Sequence, residues 1–176
     1  MGWSIGYQPV REPELIDAYL LAVGKALYIA SGFEKKCQWV LRIFKLVANY
    51  EADPNLDTFE AFAAALKDSL LGPTLLSMAT FDGTAVEIGI LNAGKDARNF
   101  IAHEAAALGH LSNIRARQID EAITKLTQKL DALIAADNLI SKWVYEIEEK
   151  EPAPSFIQHQ YPAVVKAWIL ESIGGA

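Results

Sequence analysis

The chain has few of the residues that build disulfides and zinc sites. Its 176 residues include one cysteine, Cys37, and three histidines. A lone cysteine cannot form an intrachain disulfide, and this set of residues gives no Cys/His pattern typical of zinc proteins. The sequence therefore predicts a fold without disulfides, without a metal site and without a cofactor.

Long apolar runs and excess positive charge are also missing. No uninterrupted apolar run reaches about 18 residues, and no basic, apolar leader opens the chain, so we expect a cytoplasmic protein that does not associate with a membrane. The formal net charge of −6 argues against a protein that coats nucleic acid through general attraction to phosphate. A local basic site remains compatible with that charge.

What the chain has instead is apolar residues at helical spacing. One stripe over residues 15–47 advances in steps of three or four and predicts a long helix over residues 13–49. A second stripe over residues 119–147 has a heptad-like spacing with one polar member, Asp137, inside a helix predicted over residues 112–150. Shorter helices are predicted over residues 57–70, 84–91, 95–109 and 162–172, with a break at Gly72-Pro73 and either a break or a bend between Asn92 and Gly94. We therefore expect residues 1–176 to form one domain, an all-α bundle of four to five helices built on two long antiparallel helices.

The segment Lys95-Asp96-Ala97-Arg98-Asn99-Phe100-Ile101-Ala102-His103 carries candidate chemistry. The planar guanidinium of an arginine binds phosphate in a bidentate manner. A histidine titrates near neutral pH and can accept or donate a proton. Together they could cleave RNA without a metal, since the histidine would deprotonate a ribose 2′-hydroxyl while the arginine stabilises charge on the phosphate.

Helix geometry limits how this segment can form a site. Arg98 and His103 lie about 140° apart around an ideal helix, whereas Asn99 and His103, four residues apart, share one stripe. Three arrangements are open. The long Arg98 side chain could wrap towards His103, the backbone could deviate at a first helical turn, or a second subunit could complete the site.

Local charge favours an anionic target for this segment. Over residues 95–117, four basic side chains (Lys95, Arg98, Arg115, Arg117) stand against two acidic ones (Asp96, Glu104) in a chain that is acidic as a whole. A basic island of this kind suits a small anionic ligand. We assign Lys95, Glu104 and Arg115 to substrate binding.

Arg98, Asn99 and His103 resemble the motif of the HEPN family of helical ribonucleases, in which an arginine and a polar residue are followed by a histidine four to six residues after the arginine. The resemblance implies a metal-independent endoribonuclease whose product carries a 2′,3′-cyclic phosphate. Arg98 would hold the phosphate, His103 would be general base or acid, and Asn99 would bind substrate or orient the histidine. It also implies a motif near a helix start, a homodimer with both motifs in one cleft and, as in some members, a toxin with a partner such as an antitoxin.

Two alternatives stay open. Some HEPN members have lost catalysis, so the chain could be a non-catalytic module that binds RNA, a nucleotide or a partner protein through the same cleft. It could also be a helical interaction protein that uses the seam around Asp137. Burial of Arg98 against an intrachain carboxylate would favour this last possibility.

Overall fold

A computed structural model describes residues 9–67, 69–80 and 87–174. These residues contain six α-helices and no strand. The helices are α1 (Pro13–Ala52), α2 (Leu56–Ala65), α3 (Leu71–Met78), α4 (Ile88–His103), α5 (Ala116–Glu149) and α6 (Ser155–Leu170), and a short 3-10 turn covers Leu111–Asn113. The predicted all-α bundle is confirmed, with more helices than the four to five expected.

α1 is continuous over 40 residues because its apolar face never loses register. Pro13 occupies its first turn, where a missing N–H costs no helical hydrogen bond. Its buried face includes Tyr19, Phe33 and Val40, each almost fully inaccessible to solvent. The helix ends at Ala52 because Asp53 precedes a proline and adopts an extended conformation.

The two long helices run parallel, so the predicted antiparallel arrangement is wrong. Lys36 of α1 contacts Asp137 of α5, and eight residues further along α1 the ring of Phe44 packs on Trp143, with 6.4 Å between ring centroids. Between them, α4 runs in the opposite direction. This direction follows from the hydroxyl of Tyr19, near the start of α1, which donates to the carbonyl of Ala105, just beyond the end of α4. α5 therefore starts at the same end of the bundle as α1.

α4 is continuous through Asn92 and Gly94, where the sequence predicts a break or a bend. Gly94 is buried where α4 crosses α5, and a Cβ atom placed on it would lie 2.2 Å from the Cβ atom of Ala136. The glycine permits close helix packing and does not end the helix. As a result, residue 95 lies inside α4 and does not begin a helix. The predicted helix start at residue 84 lies outside the described residues.

Pro73 and Pro162 do not mark helix boundaries as the sequence suggests. Pro73 lies in the first turn of α3, where backbone N–H groups have no helical partner in any case. Pro162, predicted to begin a helix, lies inside α6. It leaves the carbonyl of Gln158 without its helical donor, and the side-chain amide of Asn138 donates to that carbonyl at 3.0 Å. This hydrogen bond offsets the loss inside the helix.

α5 begins four residues later than predicted, at Ala116, and the backbone N–H of Arg115 is capped by the Gln118 side chain at 3.0 Å. Its heptad-like seam is the centre of the bundle, where these members are fully buried: Ile119, Leu126, Leu130, Leu133 and Ile140. The seam is therefore packed inside the molecule and is not an exposed surface for a partner.

Among the described residues, α1 is one helix that is long and apolar enough to cross a membrane by length and composition. In its most apolar window, 33% of the residues are buried inside the bundle. The core helix of a soluble protein passes the same test. Length and composition alone therefore do not make α1 a membrane span.

Candidate functional site

The arginine–histidine segment occupies the second half of α4, and the helix ends at His103. The resemblance implies a motif near a helix start, and the structure places it at a helix end. Ala97, Phe100 and Ile101 are buried and fix this part of α4 against the bundle. Asn99 and His103 are exposed, and Arg98 lies on the flank that faces α1.

Arg98 is tied to an acidic residue that the sequence analysis missed. Its Nη2 atom donates to Oε2 of Glu34 on α1, and its Nη1 atom donates to Oδ1 of Asn99 at 3.2 Å. The ion pair is largely shielded, with 24% of the Arg98 side chain and 17% of the Glu34 side chain exposed. Glu34 is 64 residues away in sequence, so helix periodicity could not pair the two. The charged triplet Glu34-Lys35-Lys36 within an apolar helix was the available signal.

The guanidinium of Arg98 has N–H donors that its two hydrogen bonds do not use. An arginine offers five N–H donors, so three are left after the bonds to Glu34 and Asn99. Glu34 holds the group in one orientation and offsets part of its charge. The arrangement can therefore present a fixed guanidinium edge to a ligand that approaches along the exposed face of α4.

His103 does not join Arg98 and Asn99 within one copy of the chain. No residue in the described ranges donates to or accepts from its ring by hydrogen bonding. It stands exposed one turn beyond Asn99, at the C-terminal end of the helix. Of the three arrangements left open by helix geometry, wrapping of Arg98 towards His103 and deviation at a first turn are not found.

The predicted substrate-binding residues on and after α4 make local contacts. Lys95 donates to the Asn92 side chain at 3.3 Å and lies 3.6 Å from Asp96. Glu104 is exposed and lies 3.7 Å from Lys125 on α5. These surface contacts leave both side chains accessible to solvent.

Arg115 lies apart from them, in a groove of about 590 Å³ at the end of the bundle where α1 and α5 begin. Arg11 lines the same groove, together with Ser112 and Asn113. Neither arginine forms an ion pair with any residue in the described part of the chain. Arg11 could not be predicted from the sequence, because only the fold brings it beside residues 112–115. α4 ends at this same end of the bundle, as the bond between Tyr19 and Ala105 shows.

A second polar cluster surrounds Asp137, which is 1% exposed. Lys36 donates to Asp137 Oδ1 and to Ser141 Oγ, each at 2.7 Å, and Tyr161 of α6 donates to Asp137 Oδ2. Burial raises the pKa of Tyr161, and the adjacent Asp137 carboxylate raises it further. The cluster joins α1, α5 and α6, and places Asp137 in a polar pocket.

Cys37 lies beside this cluster but has no nucleophilic character. It is fully buried, and burial together with the negative charge of Asp137 raises the pKa of its thiol. A thiol kept protonated is a poor nucleophile and a poor metal ligand.

Within residues 9–67, 69–80 and 87–174, no three His, Cys, Asp or Glu side chains are grouped so as to hold a metal ion.

No protein-family model matches the chain, and no curated protein or solved structure matches it either. The likeness to the HEPN family therefore depends on Arg98, Asn99 and His103 together with the all-helical architecture.

Proposed function

We propose that the chain is a metal-independent endoribonuclease of HEPN type that acts as a homodimer. The observation that carries the proposal is the orientation of the Arg98 guanidinium. It is held by Glu34 and Asn99 beside the exposed face of α4, with three N–H donors left for a phosphate. His103 is exposed on the same helix, free of hydrogen bonds to the described residues.

The chemistry needs only these side chains. His103 removes the proton from a ribose 2′-hydroxyl, and the resulting oxygen attacks the adjacent phosphorus. The bond to the 5′-oxygen breaks, a protonated histidine donates a proton to that oxygen, and a 2′,3′-cyclic phosphate remains. Arg98 stabilises the negative charge that develops on the phosphate oxygens.

A homodimer would place Arg98 of one subunit beside His103 of the other, which one copy of the chain does not achieve. Because His103 does not reach Arg98 within the chain, a two-fold axis beside the exposed stripe of Asn99 and His103 would bring the two motifs together. At each of two sites, Arg98 of one subunit would act with His103 of the other, and the histidine that accepts the 2′-hydroxyl proton would donate it to the leaving 5′-oxygen.

The groove of Arg11 and Arg115 supports an extended anionic substrate. Both side chains are exposed and lie at the end of the bundle where α4 ends. Arginine is suited to phosphate through its planar donor geometry. We assign this groove to the RNA backbone beyond the cleaved bond, which would explain how an acidic chain binds RNA.

The central test is incubation of purified protein with mixed RNA in EDTA. The wild type should cleave RNA and leave 2′,3′-cyclic phosphate ends, whereas His103→Ala should be inactive with an unchanged circular dichroism spectrum. His159→Ala is the matched control, since His159 is exposed on α6 and bonds only a carbonyl of its own helix. Cleavage that EDTA abolishes and magnesium restores would contradict the mechanism.

Mixed dimers test the shared site. A population formed from Arg98→Ala and His103→Ala subunits should recover part of the activity that each variant lacks alone, because one of the two sites can draw intact groups from both subunits. A protein that sediments as a monomer at micromolar concentration and still cleaves RNA would refute the composite site.

A non-catalytic chain is the second candidate. The shielded ion pair of Arg98 with Glu34 favours it, since burial of Arg98 against an intrachain carboxylate is what a helical interaction protein without a catalytic motif predicts. In that case Arg98 joins α4 to α1, and the chain binds RNA, a nucleotide or a partner protein such as an antitoxin. The two candidates differ in one measurement. A catalytic Arg98 gives a folded, inactive Arg98→Ala variant, whereas a structural Arg98 gives a lowered Tm and a wild type that cleaves no RNA.

A further inference from the structure

A second ligand-sized groove lies on the flank of α1 away from Arg98. Glu34 faces α4 and Lys36 faces α5, and positions two apart lie about 200° apart around a helix. The groove has a volume of about 460 Å³ and lies between α1 and α6 beside the Asp137 cluster. That volume is within the range of about 300–1,000 Å³ found for small-molecule sites.

The groove carries one uncompensated positive charge. Lys36 lines it, but its charge is balanced by Asp137 at 2.7 Å. Lys35 also lines it, is exposed, and forms no ion pair with any residue that the structure describes. The hydroxyl of Ser31 lies one turn away on the same rim. These groups suit one small anionic group, such as a phosphate.

Aromatic surface lines the same groove. Tyr28 is 73% exposed, and its ring meets Trp168 edge-on at 6.3 Å between centroids. Tyr161 lines the groove as well and is held by its bond to Asp137. Solvent-accessible aromatic faces bind planar rings by stacking, and such contacts tolerate any nucleobase.

Where α1 lines the groove, a glycine leaves the helix backbone without a side chain. Gly32 lies in the interior of α1, where glycine costs about 0.5–1 kcal/mol relative to alanine. A Cβ atom on Gly32 would meet no neighbouring atom closer than the Cε of Lys36 at 4.0 Å, so packing does not demand glycine there. This is unlike Gly94, whose neighbours leave no room. Glycine at this position keeps the groove open to a ligand that lies against α1.

We propose that this groove binds a nucleoside monophosphate. The base stacks on Tyr28, and the phosphate contacts Lys35 and Ser31. The site is separate from Arg98 and stands independently of the ribonuclease proposal.

Adenosine 5′-monophosphate is the probe, titrated calorimetrically into the full chain. The wild type should bind it saturably, and more tightly than inorganic phosphate or adenosine. Gly32→Leu should weaken binding at least tenfold because leucine fills the groove. Gly24→Leu is the matched control, since Gly24 is also inside α1 with no atom near its Cβ position and does not line the groove.

Single-group variants assign the two halves of the ligand. Lys35→Gln should weaken binding of the nucleotide and leave adenosine binding unchanged, whereas Tyr28→Leu should weaken both. Circular dichroism establishes that each variant is folded. Absence of saturable binding by the wild type at millimolar probe, or equal affinity of Gly32→Leu and wild type, would overturn the proposal.

Discussion

Replacing Gly94 with alanine tests the close contact between α4 and α5. The added Cβ atom would lie 2.2 Å from Ala136 Cβ and 3.3 Å from the Phe33 ring. Carbon atoms in contact are about 3.5–4.0 Å apart, so α4 and α5 would have to separate locally by about 1.3 Å or more. Neither contacting Cβ atom can rotate away, because each belongs to a side chain without rotamers.

The expected cost follows from two opposing effects. Overpacking a filled core costs about 1–3 kcal/mol, and a contact between two rigid atoms belongs at the upper end. Alanine gains about 1 kcal/mol over glycine in helix propensity. Gly94→Ala should therefore lower the free energy of unfolding by about 1–2 kcal/mol.

Urea unfolding followed by circular dichroism measures this change. Gly24→Ala is the control, because nothing lies within 4 Å of its Cβ position, and it should stabilise the chain by up to about 1 kcal/mol. Combining Gly94→Ala with Ala136→Gly moves the methyl group from α5 to α4, and should recover part of the loss. A Gly94→Ala protein as stable as the wild type would refute the packing argument.

Three further outcomes follow from the buried polar groups. Asp137→Ala should destabilise the chain by about 3–5 kcal/mol in urea unfolding, because it leaves Lys36 and Tyr161 without their partner; a loss below 1 kcal/mol would show that the cluster is solvated. Cys37 should resist a thiol reagent such as 5,5′-dithiobis(2-nitrobenzoate) at pH 8 until urea unfolds the chain, since it is fully buried and its pKa is raised; rapid labelling of the folded chain would contradict its burial. Stability should be fully present below pH 9, the ordinary pKa of the thiol, and should fall as the pH rises further, because the folded state keeps Cys37 and Tyr161 protonated while the unfolded chain loses those protons. Tyr161→Phe should make that alkaline loss shallower, and an identical pH dependence of urea midpoints would count against the raised pKa of Tyr161.

Helix content was predictable because it depends on local periodicity. The stripe in α1 and the seam in α5 each repeat over many turns, and most of the positions they mark are buried. Helix boundaries were harder to predict, because proline and glycine occur inside helices as well as at their ends. Gly94 is a packing residue, and Pro162 is tolerated because Asn138 replaces the lost donor. Neither role can be predicted from the local sequence, because each depends on a contact with another helix.

The candidate site was only partly predictable for a related reason. Residue chemistry and spacing point to Arg98, Asn99 and His103, and they show that Arg98 and His103 do not share a stripe. The pairing of Arg98 with Glu34 and the groove shared by Arg11 and Arg115 depend on contacts between residues far apart in sequence. The parallel course of the long helices likewise depends on the path of α4, which periodicity does not encode.

The parallel arrangement has a consequence for synthesis on the ribosome. Lys36 and its partner Asp137 are separated by 101 positions, which take about 5–20 s to translate at about 5–20 residues per second. During that interval the apolar face of α1 has no α5 to cover it, and chains with such delayed contacts fold slowly and are prone to aggregate. A nascent chain that stalls before α5 is complete would present the buried face of a 40-residue helix to the cell, so synthesis of this small bundle should depend strongly on chaperones that bind nascent chains.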